Sequence, residues 1–374
     1  MDDERYAFVV EWYEEIAGRT RQFQFFYYVN SKCIEMFDLK TRKVFLRTSV
    51  KDNEITLPDL FIGGSINILG RKLTIIDYGE EYTRRKLSEK KEKTLGMIKP
   101  DGVEKLGQIL DEIYKRGFLL TRLRMCCLDR NQAFRFYEEH RDKPFFNALI
   151  DYITSGPIIV FEIVNTNAVD NWREAIGPTD PSRARTVAPT SIRAQYGIDV
   201  TRNVVHGSDS AASAVRELEF FFPSSGPMLP NTSKGGNCTC CLIKPHAVKA
   251  GKIISAITEA GFRIGAAQMM VLEKANAEEF LEVYKGVVHE YNGMVAELTA
   301  GACIALEVLS DTQNTVQVFR ELAGPADPEI ARHLRPRTLR AIFGVDKVKN
   351  AVHCTDLPED GQLEDDYFFK ILDR

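Results

Sequence analysis

Hydrophobic residues recur with two different spacings over residues 94–222, and the two spacings alternate along the chain. Short apolar runs predict buried strands at residues 95–98, 119–128 and 158–163. Apolar side chains spaced as on one helical face predict helices at residues 107–117, 131–141 and 169–176, the first of which closes on a glycine. Strands interleaved with helices in this order predict an α/β (α+β) fold with a ferredoxin-like, split-βαβ sheet.

Residues 1–91 follow a different pattern, in which short strand-like runs succeed one another closely. These runs lie at residues 23–29, 33–38, 43–47, 65–69 and 73–77. Turn signals such as Asn30-Ser31, Gly63-Gly64 and Gly70 separate them. The pattern predicts a small, mostly β module, and it contains no apparent catalytic cluster.

The rest of the chain is an internal repeat. The sequence TLGMIKP at residues 94–100 returns as TCCLIKP at residues 239–245, which places Lys99 on Lys244. A constant offset of 147 residues then relates Tyr137 to Tyr284, Arg173 to Arg320, Arg193 to Arg340, Asn203 to Asn350, His206 to His353 and Glu217 to Glu364. A chance repeat would not keep these side chains in one order, so we infer a duplicated domain with copies at 92–223 and 238–374.

Two connecting segments border the copies. Residues 224–237 combine Pro, Gly and Ser, as linkers do. Residues 84–93 form a run rich in Lys and Arg. We interpret this run as a solvated helical connector, because such runs usually face water; a cationic contact with an acidic partner such as a filament surface is the alternative.

Length, charge and apolar content limit the class of protein. The chain has 374 residues, enough for two or three domains, and a formal net charge of −4. This charge argues against a protein that coats nucleic acid, which requires an excess of Lys and Arg. The first dozen residues lack the features of a secretory signal, and the longest apolar stretches are too short to span a bilayer. We expect a soluble cytoplasmic protein without a membrane partner.

The eight cysteines suit that compartment. Cys126, Cys127 and Cys303 lie in apolar runs and are predicted to be core residues. Cys238 and Cys241 form a Cys-x-x-Cys, but a zinc site needs a second ligand pair and a redox pair needs a helix start. A buried strand at residues 240–243 is therefore favoured over both alternatives.

His206 is the centre of the candidate chemistry. A phosphohistidine requires one ring nitrogen to attack a phosphate while an acceptor holds the other nitrogen and fixes the tautomer. Glu217, in a predicted helix, could supply that acceptor, and Gly207 is expected to permit a sharp turn. Lys99, Arg173, Thr179 and Arg193 are suitable donors for the charge of a transferred phosphoryl group. We expect Mg²⁺ to be held by the phosphates of the NTP or NDP and not by protein side chains.

The segment Asn-Val-Val-His-Gly-Ser-Asp at residues 203–209 resembles the active-site signature of nucleoside diphosphate kinases. Residues 98–102, 141–146 and 155–157 resemble other landmarks of that family, and the resemblance covers residues 94–222. It implies that His206 is the phosphorylated nucleophile, that Glu217 orients it and that Ser208 supports it. It further implies phosphate contacts by Lys99, Tyr137, Arg173, Thr179 and Arg193, a ribose contact by Asn203 and base stacking by Phe145.

The implied reaction is a ping-pong transfer of phosphate from a nucleoside triphosphate to a nucleoside diphosphate. One departure from the family pattern is that residues 181–193 form a segment a few residues longer than usual. A shift of about 1 Å in a positioned group can cost about 10²-fold in rate. Complete residues therefore do not by themselves predict strong activity.

The second copy keeps Lys244, Tyr284, Arg320, Arg340, Asn350, His353 and Glu364 but changes their neighbours. Ala326 replaces Thr179 and Asn292 replaces Phe145, so a phosphate donor and the aromatic platform are lost. Cys354-Thr355 replaces Gly207-Ser208, and His246-Ala247 replaces Asp101-Gly102. We expect weak nucleotide binding and a structural role for this copy.

The N-terminal module resembles the DM-type module of ciliary proteins that line the inside of doublet microtubules. The resemblance rests on residues 33–40, 45–47, 59–64, 71 and 76–84. A DM-type module followed by two kinase domains is similar to axonemal members of the kinase family. The resemblance implies a microtubule inner protein of cilia and flagella that binds tubulin and other inner proteins, and also centrosomes with the γ-tubulin ring complex.

Three alternatives stay open at this stage. The N-terminal module could merely stabilise its neighbour. The whole chain could be a structural scaffold on microtubules with little or no kinase activity. Exonuclease activity on single-stranded DNA is a lower-ranked hypothesis, since no acidic metal cluster is visible in the sequence.

Overall fold

The computed structural model describes residues 3–14, 17–50, 55–87, 91–249 and 251–373. The chain forms two compact units with a sheet in each. The first unit comprises the N-terminal module together with residues 271–302, and the second comprises residues 91–270 and 303–374.

The N-terminal module is an antiparallel sheet of six strands in the order β4-β3-β2-β1-β6-β5. Its elements are β1 (Arg5–Glu14), β2 (Arg19–Tyr28), β3 (Cys33–Asp38), β4 (Lys43–Ser49), β5 (Ser65–Ile68), β6 (Arg71–Tyr78) and helix α1 (Glu81–Leu87). The five predicted strands are confirmed. The sequence analysis missed β1, which lies at the centre of the sheet between β2 and β6.

Alternation along the central strands builds the core of this module. On β2, Phe23, Phe25 and Tyr27 are buried, and on β1 Phe8 and Val10 are buried with them. Side chains two residues apart lie on the same face of a strand, so these rings form one continuous apolar layer.

The basic connector differs from its prediction. Residues 84–87 are helical as expected, and Ser88, Glu89 and Lys90 lie outside the described residues. Lys91–Lys93, however, begin the strand β7 (Lys91–Ile98) and are not helical. Their partners are Thr166, Asn165 and Val164, so pairing with a strand distant in sequence overrides the local charge pattern.

The first copy contributes four strands and seven helices to the second unit. After β7 come α2 (Leu106–Lys115), β8 (Leu119–Cys126), α3 (Arg130–Phe136), α4 (Phe146–Ile153), β9 (Ile158–Thr166), α5 (Ala168–Ile176), α6 (Pro181–Val187), α7 (Ile192–Tyr196), β10 (Val205–Gly207) and α8 (Ala211–Phe221). The predicted strands and two of the predicted helices are confirmed within a few residues at their ends, whereas the helix predicted at residues 131–141 ends at Phe136 and is followed by a 3₁₀ turn at Glu138–His140.

The second copy repeats the same order of elements. They are β11 (Cys238–Ile243), α9 (Gly251–Glu259), β12 (Arg263–Val271), α10 (Lys274–Phe280), α11 (Tyr291–Leu298), β13 (Ala302–Leu309), α12 (Thr315–Ala323), α13 (Pro328–Leu334), α14 (Leu339–Phe343), β14 (Val352–Cys354) and α15 (Gly361–Asp366). Helices α10 and α11 lie in residues 271–302 and so belong to the first unit.

The two copies share one eight-stranded sheet in the order β10-β7-β9-β8-β12-β13-β11-β14. The seam is the antiparallel pair β8–β12, where Arg124 faces Gln268. Helices α2 and α9 cross closely, because Gly107 and Gly251 carry no Cβ; a Cβ on Gly251 would come within 2.3 Å of the Gly107 carbonyl oxygen. The tandem copies thus form an internal pair.

A buried arginine closes the seam. The Arg124 side chain is only 3% exposed and donates to the Asp373 carboxylate, to Gln268 Oε1 at 2.8 Å and to the Leu229 carbonyl oxygen at 2.7 Å. Asp373 is the penultimate residue of the chain, and Leu229 lies in the linker. Arg124 therefore ties both segments to the shared sheet.

Two cysteine predictions need comment. Cys126 and Cys303 are buried as expected, but Cys127 is exposed, because it follows the last residue of β8. Cys238 and Cys241 are both buried in β11. They are three residues apart on a strand, so they lie on opposite faces and do not form a pair.

Candidate active site

A cavity of about 760 Å³ opens in the first copy. Its lining includes Lys99, Tyr137, Phe145, Arg173, Thr179, Arg193, Asn203, His206 and Glu217. These are all the predicted site residues of the first copy except Ser208. They come from β7, α3, α5, α7, β10, α8 and the loops that follow, so the fold gathers side chains that are up to 118 positions apart.

His206 lies on β10, opposite Met97 of β7. Its Nε2 lies 3.0 Å from Glu217 Oε2, and the Ser208 hydroxyl donates to the same oxygen at 2.7 Å. Glu217 is carried by α8, whose first turn is capped by the side chain of Ser210. If Nε2 carries the proton donated to Glu217, the lone pair lies on Nδ1, which makes Nδ1 the nucleophilic nitrogen.

Gly207 does not form the sharp turn that the sequence predicted. It is the last residue of β10 and adopts an ordinary strand conformation. A Cβ on Gly207 would meet the Trp172 ring at 2.5 Å, so the glycine is required by close packing. Trp172 Nε1 also donates to the His206 carbonyl oxygen at 3.3 Å, so the indole helps to position the histidine backbone.

Val204, two residues before His206, has a left-handed φ of +71°. This conformation is costly for a β-branched residue and persists only where neighbouring contacts impose it. The Asp101 carboxylate accepts from the Val204 N–H at 3.1 Å, and the Val204 carbonyl oxygen accepts from the Lys99 N–H at 2.7 Å. Asp101 in turn accepts a hydrogen bond from the Tyr152 hydroxyl.

The sequence analysis assigned no role to Asp101, Tyr152 or Trp172. For Asp101 the available signals were its place in the family landmark at residues 98–102 and the replacement of Asp101-Gly102 by His246-Ala247 in the second copy. These three residues act on the backbone that presents His206. We regard them as positioning residues.

Two cations, the buried Lys99 and the half-buried Arg193, line the cavity together with His206. Burial lowers the pKa of Lys99 to about 8, and the charge of Arg193 lowers it further than Asp101 can restore. Burial, with the nearby Arg173, lowers the pKa of Arg193 to about 10. Both shifts show that the protonated forms lack a sufficient anionic partner within the protein.

Several polar groups at the cavity are held by the protein, and others are not. The Lys99 ammonium donates to Asn203 Oδ1 at 2.7 Å, and the Asn203 amide donates to the Thr179 and Val200 carbonyl oxygens, each at 2.9 Å. By contrast, the Tyr137 hydroxyl and Arg193 Nε are buried without a hydrogen-bond partner. Buried polar groups of this kind normally have a partner, so they point to a ligand.

Phe145 stands apart from this polar group. It is 52% exposed, and its ring centroid lies 6.1 Å from that of His140. The cavity thus has an exposed aromatic ring at one end and cations at the other. This arrangement suits a ligand with an aromatic end and an anionic end.

The second copy keeps the central pair. His353 Nε2 lies 2.9 Å from Glu364 Oε2, and Thr355 Oγ1 donates to that oxygen at 2.9 Å. Thr355, which replaces Ser208 in the sequence, therefore supplies the same hydroxyl contact to the glutamate. The His353 side chain is 9% exposed, against 19% for the side chain of His206.

The residues around His353 differ from those around His206 more than the histidine–glutamate pair does. The Arg320 guanidinium pairs with Asp356, and the Lys244 ammonium donates to the Val348 carbonyl oxygen at 2.8 Å. Cys354 stands where Gly207 stands in the first copy, opposite Phe319 in place of Trp172. Arg340 and Asn350 keep the bonds of Arg193 and Asn203 to the loops at Gly324 and Ala326. Tyr284 lies in the other unit, in the 3₁₀ turn Glu282–Tyr284.

Both copies have a residue with a left-handed φ two positions before the histidine, but the acceptor for its N–H differs. Ala351 has a φ of +71°, like Val204. Its N–H donates to His246 Nε2 at 3.2 Å, where Val204 uses Asp101. A neutral imidazole nitrogen thus replaces a carboxylate as the acceptor.

Comparison with known proteins agrees with this geometry. The family model "Nucleoside diphosphate kinase" matches residues 92–226 and 237–373. The chain belongs to the nucleoside diphosphate kinase family. It is 54% identical to a mouse (Mus musculus) protein named nucleoside diphosphate kinase homolog 7, over 99% of this chain and 94% of the mouse protein.

Single-domain members match one copy. A nucleoside diphosphate kinase of Pelotomaculum thermopropionicum is 50% identical over 35% of this chain and 87% of its own length. A crystal structure of the Aquifex aeolicus nucleoside diphosphate kinase is 43% identical, covers 36% of this chain and 97% of that chain, and has a TM-score of 0.36. Within the described parts of the chain, no helix combines the length and apolarity needed to cross a membrane.

Proposed function

We propose that the first copy transfers phosphate from nucleoside triphosphates to nucleoside diphosphates through a phosphohistidine at His206. The observation that supports this is one cavity in which Glu217 holds Nε2 of His206 while Lys99 and Arg193 lie beside it. Membership in a family of nucleotide-binding kinases supports it further.

In the first half-reaction, Nδ1 of His206 attacks the γ-phosphorus. The nitrogen–phosphorus bond forms as the bond to the bridging oxygen breaks, and the diphosphate leaves with the electron pair. Lys99, Arg173 and Arg193 stabilise the charge on the phosphate oxygens, and the Tyr137 hydroxyl gains an acceptor. In the second half-reaction, a different diphosphate takes the phosphoryl group back along the same path.

Mg²⁺ enters this reaction as part of the nucleotide substrate. Glu217 is already occupied by His206 and Ser208. The Asp209 carboxylate is held by the hydroxyl of Ser213, and this hydrogen bond and others lower its pKa. The phosphates therefore supply the ligands of the ion, and the protein supplies cations around the phosphates.

The test is a phosphorylation assay on the full chain with γ-labelled ATP and Mg²⁺. We expect acid-labile label on wild type and on His353→Ala, and none on His206→Ala. Because His353 sits in the equivalent position with the same carboxylate partner, His353→Ala is a matched control. Equal labelling of His206→Ala and wild type would refute the proposal.

We also propose that the second copy is weakly active or structural. Ala326 offers no hydroxyl in place of Thr179, and Arg320 is engaged by Asp356. Asn292 stands at the position of Phe145 and offers no aromatic face. Donors that are already paired within the protein must break those pairs before they bind a phosphate, which weakens binding.

For the cellular setting, we propose an inner protein of doublet microtubules in ciliary axonemes, with a further site at centrosomes. The support is the resemblance of the β-rich N-terminal module to DM-type modules. The test is extraction of axonemes with high salt: the chain should remain with the doublets, and His206→Ala should remain equally. Release of the chain with soluble proteins would contradict this setting, whatever the kinase assay shows.

A further inference from the structure

A second cluster of reactive side chains lies in the second copy, away from the cavity. Cys238 on β11, Glu307 on β13 and Asp365 on α15 bring one sulfur and two carboxylate oxygens within 4.8 Å of one another. It is the one group of His, Cys, Asp and Glu side chains suited to a metal ion within the described ranges, which omit residues 1–2, 15–16, 51–54, 88–90, 250 and 374.

The first copy shows what is unusual about this cluster. Glu162 and Glu307 are equivalent, because Glu162 pairs with Leu95 of β7 and Glu307 pairs with Cys240 of β11. In the first copy, Glu162 Oε1 receives the Lys93 ammonium at 3.2 Å and the Thr121 hydroxyl at 2.7 Å. A buried carboxylate there has both a counter-ion and a hydroxyl donor.

The second copy has lost both partners. The residue one before the repeated strand motif is Lys93 in the first copy and Cys238 in the second. Three residues after each Gly-Phe pair, the first copy has Thr121 and the second has Gly265. The two histidines are related by an offset of 147 residues. At the same offset, the second copy has Asp365 where the first has Leu218. A site with one negative and one positive group has become a site with two carboxyl groups and a thiol.

One oxygen of each carboxylate, in Glu307 and in Asp365, accepts hydrogen bonds from the linker. Glu307 Oε1 accepts from the backbone N–H groups of Lys234 at 2.9 Å and Gly235 at 2.7 Å. Asp365 Oδ2 accepts from the Ser233 hydroxyl at 2.6 Å. These bonds fix the two carboxylates in place and leave their other oxygens facing the cluster.

The remaining oxygens have no donor. Glu307 and Asp365 are fully buried, and Glu307 Oε2 and Asp365 Oδ1 have no hydrogen-bond partner. A Cβ on Gly265 would lie 2.0 Å from Glu307 Oε2, so the glycine allows that oxygen to lie against the backbone of β12. Two unpartnered, fully buried carboxylate oxygens next to a buried sulfur form a site that a cation would complete.

We propose that Cys238, Glu307 and Asp365 bind a zinc-class divalent cation, with Zn²⁺ as the preferred ion, that replaces the Lys93 ammonium of the first copy. A thiolate ligand excludes Mg²⁺ and Ca²⁺, which take oxygen ligands, whereas Zn²⁺ accepts sulfur and carboxylate oxygen together. The thiol proton passes to solvent as the Zn–S bond forms. The ion joins β11, β13 and α15 to linker residues 233–235, which bind two of its ligands.

The surroundings raise the pKa of two of the proposed ligands. Burial, aided by the neighbouring carboxylates, raises the pKa of the Cys238 thiol to about 12. Burial raises the pKa of Asp365 to about 7. Both groups resist ionisation in the bare protein, and a divalent ion reverses that preference.

The test uses Co²⁺ as a spectroscopic substitute in the full chain after chelator treatment. Wild type should develop a thiolate-to-cobalt absorption band that saturates at one equivalent and is displaced by Zn²⁺. Cys238→Ser should lose the band. Cys241→Ser should keep it, because Cys241 is buried on the opposite face of the same strand.

Carboxylate variants extend the test. Glu307→Gln should weaken Zn²⁺ binding by at least about tenfold. Glu162→Gln should leave Zn²⁺ binding unchanged, since Glu162 is the equivalent carboxylate with a lysine partner. Cys238→Lys, which reproduces the first copy, should abolish Zn²⁺ binding. A band that survives in Cys238→Ser would overturn the proposal.

X-ray absorption on the wild-type zinc complex needs no variant and so stays informative if a substitution prevents folding. We expect one sulfur at about 2.3 Å among the zinc ligands, with oxygen as the remainder. Absence of sulfur from the first shell would overturn the proposal. So would failure of wild type to bind zinc while an infrared carboxylic-acid band shows that Asp365 and Glu307 share a proton.

Discussion

The two copies differ little in their central pair and much in what surrounds it. In both, a histidine on a short strand contacts a glutamate on the following helix, at 3.0 Å in the first copy and 2.9 Å in the second. In both, a residue with φ of +71° precedes the histidine. The first copy surrounds this pair with Lys99, Arg193 and an unpartnered Tyr137 hydroxyl, whereas the second engages Arg320 with an internal carboxylate.

This difference shows that a nucleophile and its orienting partner are not enough to assign activity. The histidine–glutamate pair also satisfies two polar groups inside the fold, so its presence does not by itself indicate turnover. Cations that lack an internal anion are costly to the free protein, and a bound phosphate offsets that cost. The state of the surrounding cations therefore separates the two copies better than the histidine does.

The largest expected effect is on the histidines themselves. His206→Ala should lower kcat/KM of the full chain by at least about 10⁴-fold, because the covalent route is removed. His353→Ala should leave most of the activity. Steady-state phosphate transfer between two nucleotides measures both. A loss of most activity in His353→Ala would reverse our comparison of the copies.

The next effect concerns the buried lysine. Lys99→Met should lower kcat by about 10²–10³-fold, the usual cost of one transition-state donor. Lys244→Met, the matched change in the second copy, should leave kcat within experimental error. Equal losses in the two variants would show that both copies contribute to turnover.

The aromatic platform should act mainly on nucleotide binding. Phe145→Asn, which copies Asn292, should raise KM for the diphosphate by about 5- to 150-fold, since base stacking is worth about 1–3 kcal/mol. The value of kcat at saturation should change little, because the base is remote from the reacting phosphorus. A fall in kcat with constant KM would place Phe145 outside the base-binding site.

A packing test addresses Gly207. Gly207→Cys introduces a side chain where a Cβ meets Trp172 at 2.5 Å, and it should lower the free energy of unfolding by about 1–3 kcal/mol. Adding Trp172→Phe, the pair found in the second copy, should recover part of that loss. Urea unfolding of the two single variants and the double variant gives the coupling. Additive losses would show that the two positions do not interact.

The smallest expected effect is a proton count. Because the pKa of Lys99 is lowered to about 8, nucleotide binding at pH 8 should restore its charge and take up about half a proton. Calorimetry in buffers of different ionisation enthalpy measures this uptake, which Lys99→Met should lack. Activity should fall as pH rises through about 8.

The lowered pKa of Lys99 also affects the free energy of unfolding, and its contribution to that free energy should rise with pH where activity falls. Between about pH 8 and the ordinary value of 10.5, the unfolded chain binds more protons at Lys99 than the folded chain does. The burial penalty of Lys99 is therefore complete below pH 8 and fades as pH rises toward 10.5. Wild type should lose less stability than Lys99→Met over that interval, as measured by urea unfolding at several pH values.

The sequence by itself determined the features that depend on neighbours along the chain. Apolar periods gave the strands and helices of the first copy, because side-chain spacing reflects local geometry. The repeat revealed the duplication, and the family resemblance across residues 94–222 identified nine residues that line one cavity, as well as Ser208, which contacts Glu217. Local pattern failed at β1 and at Lys91–Lys93, whose strands form through pairing with partners distant in sequence.

Only the tertiary structure decided which residues meet across the fold. Gly207 is required because Trp172 reaches it from α5, and Val204 is held by Asp101 from another loop. The Thr355 hydroxyl replaces that of Ser208, and Cys238 meets Glu307 and Asp365 instead of Cys241. These contacts join residues that are far apart in sequence and follow no helical or strand spacing. They can therefore be identified only from the tertiary structure.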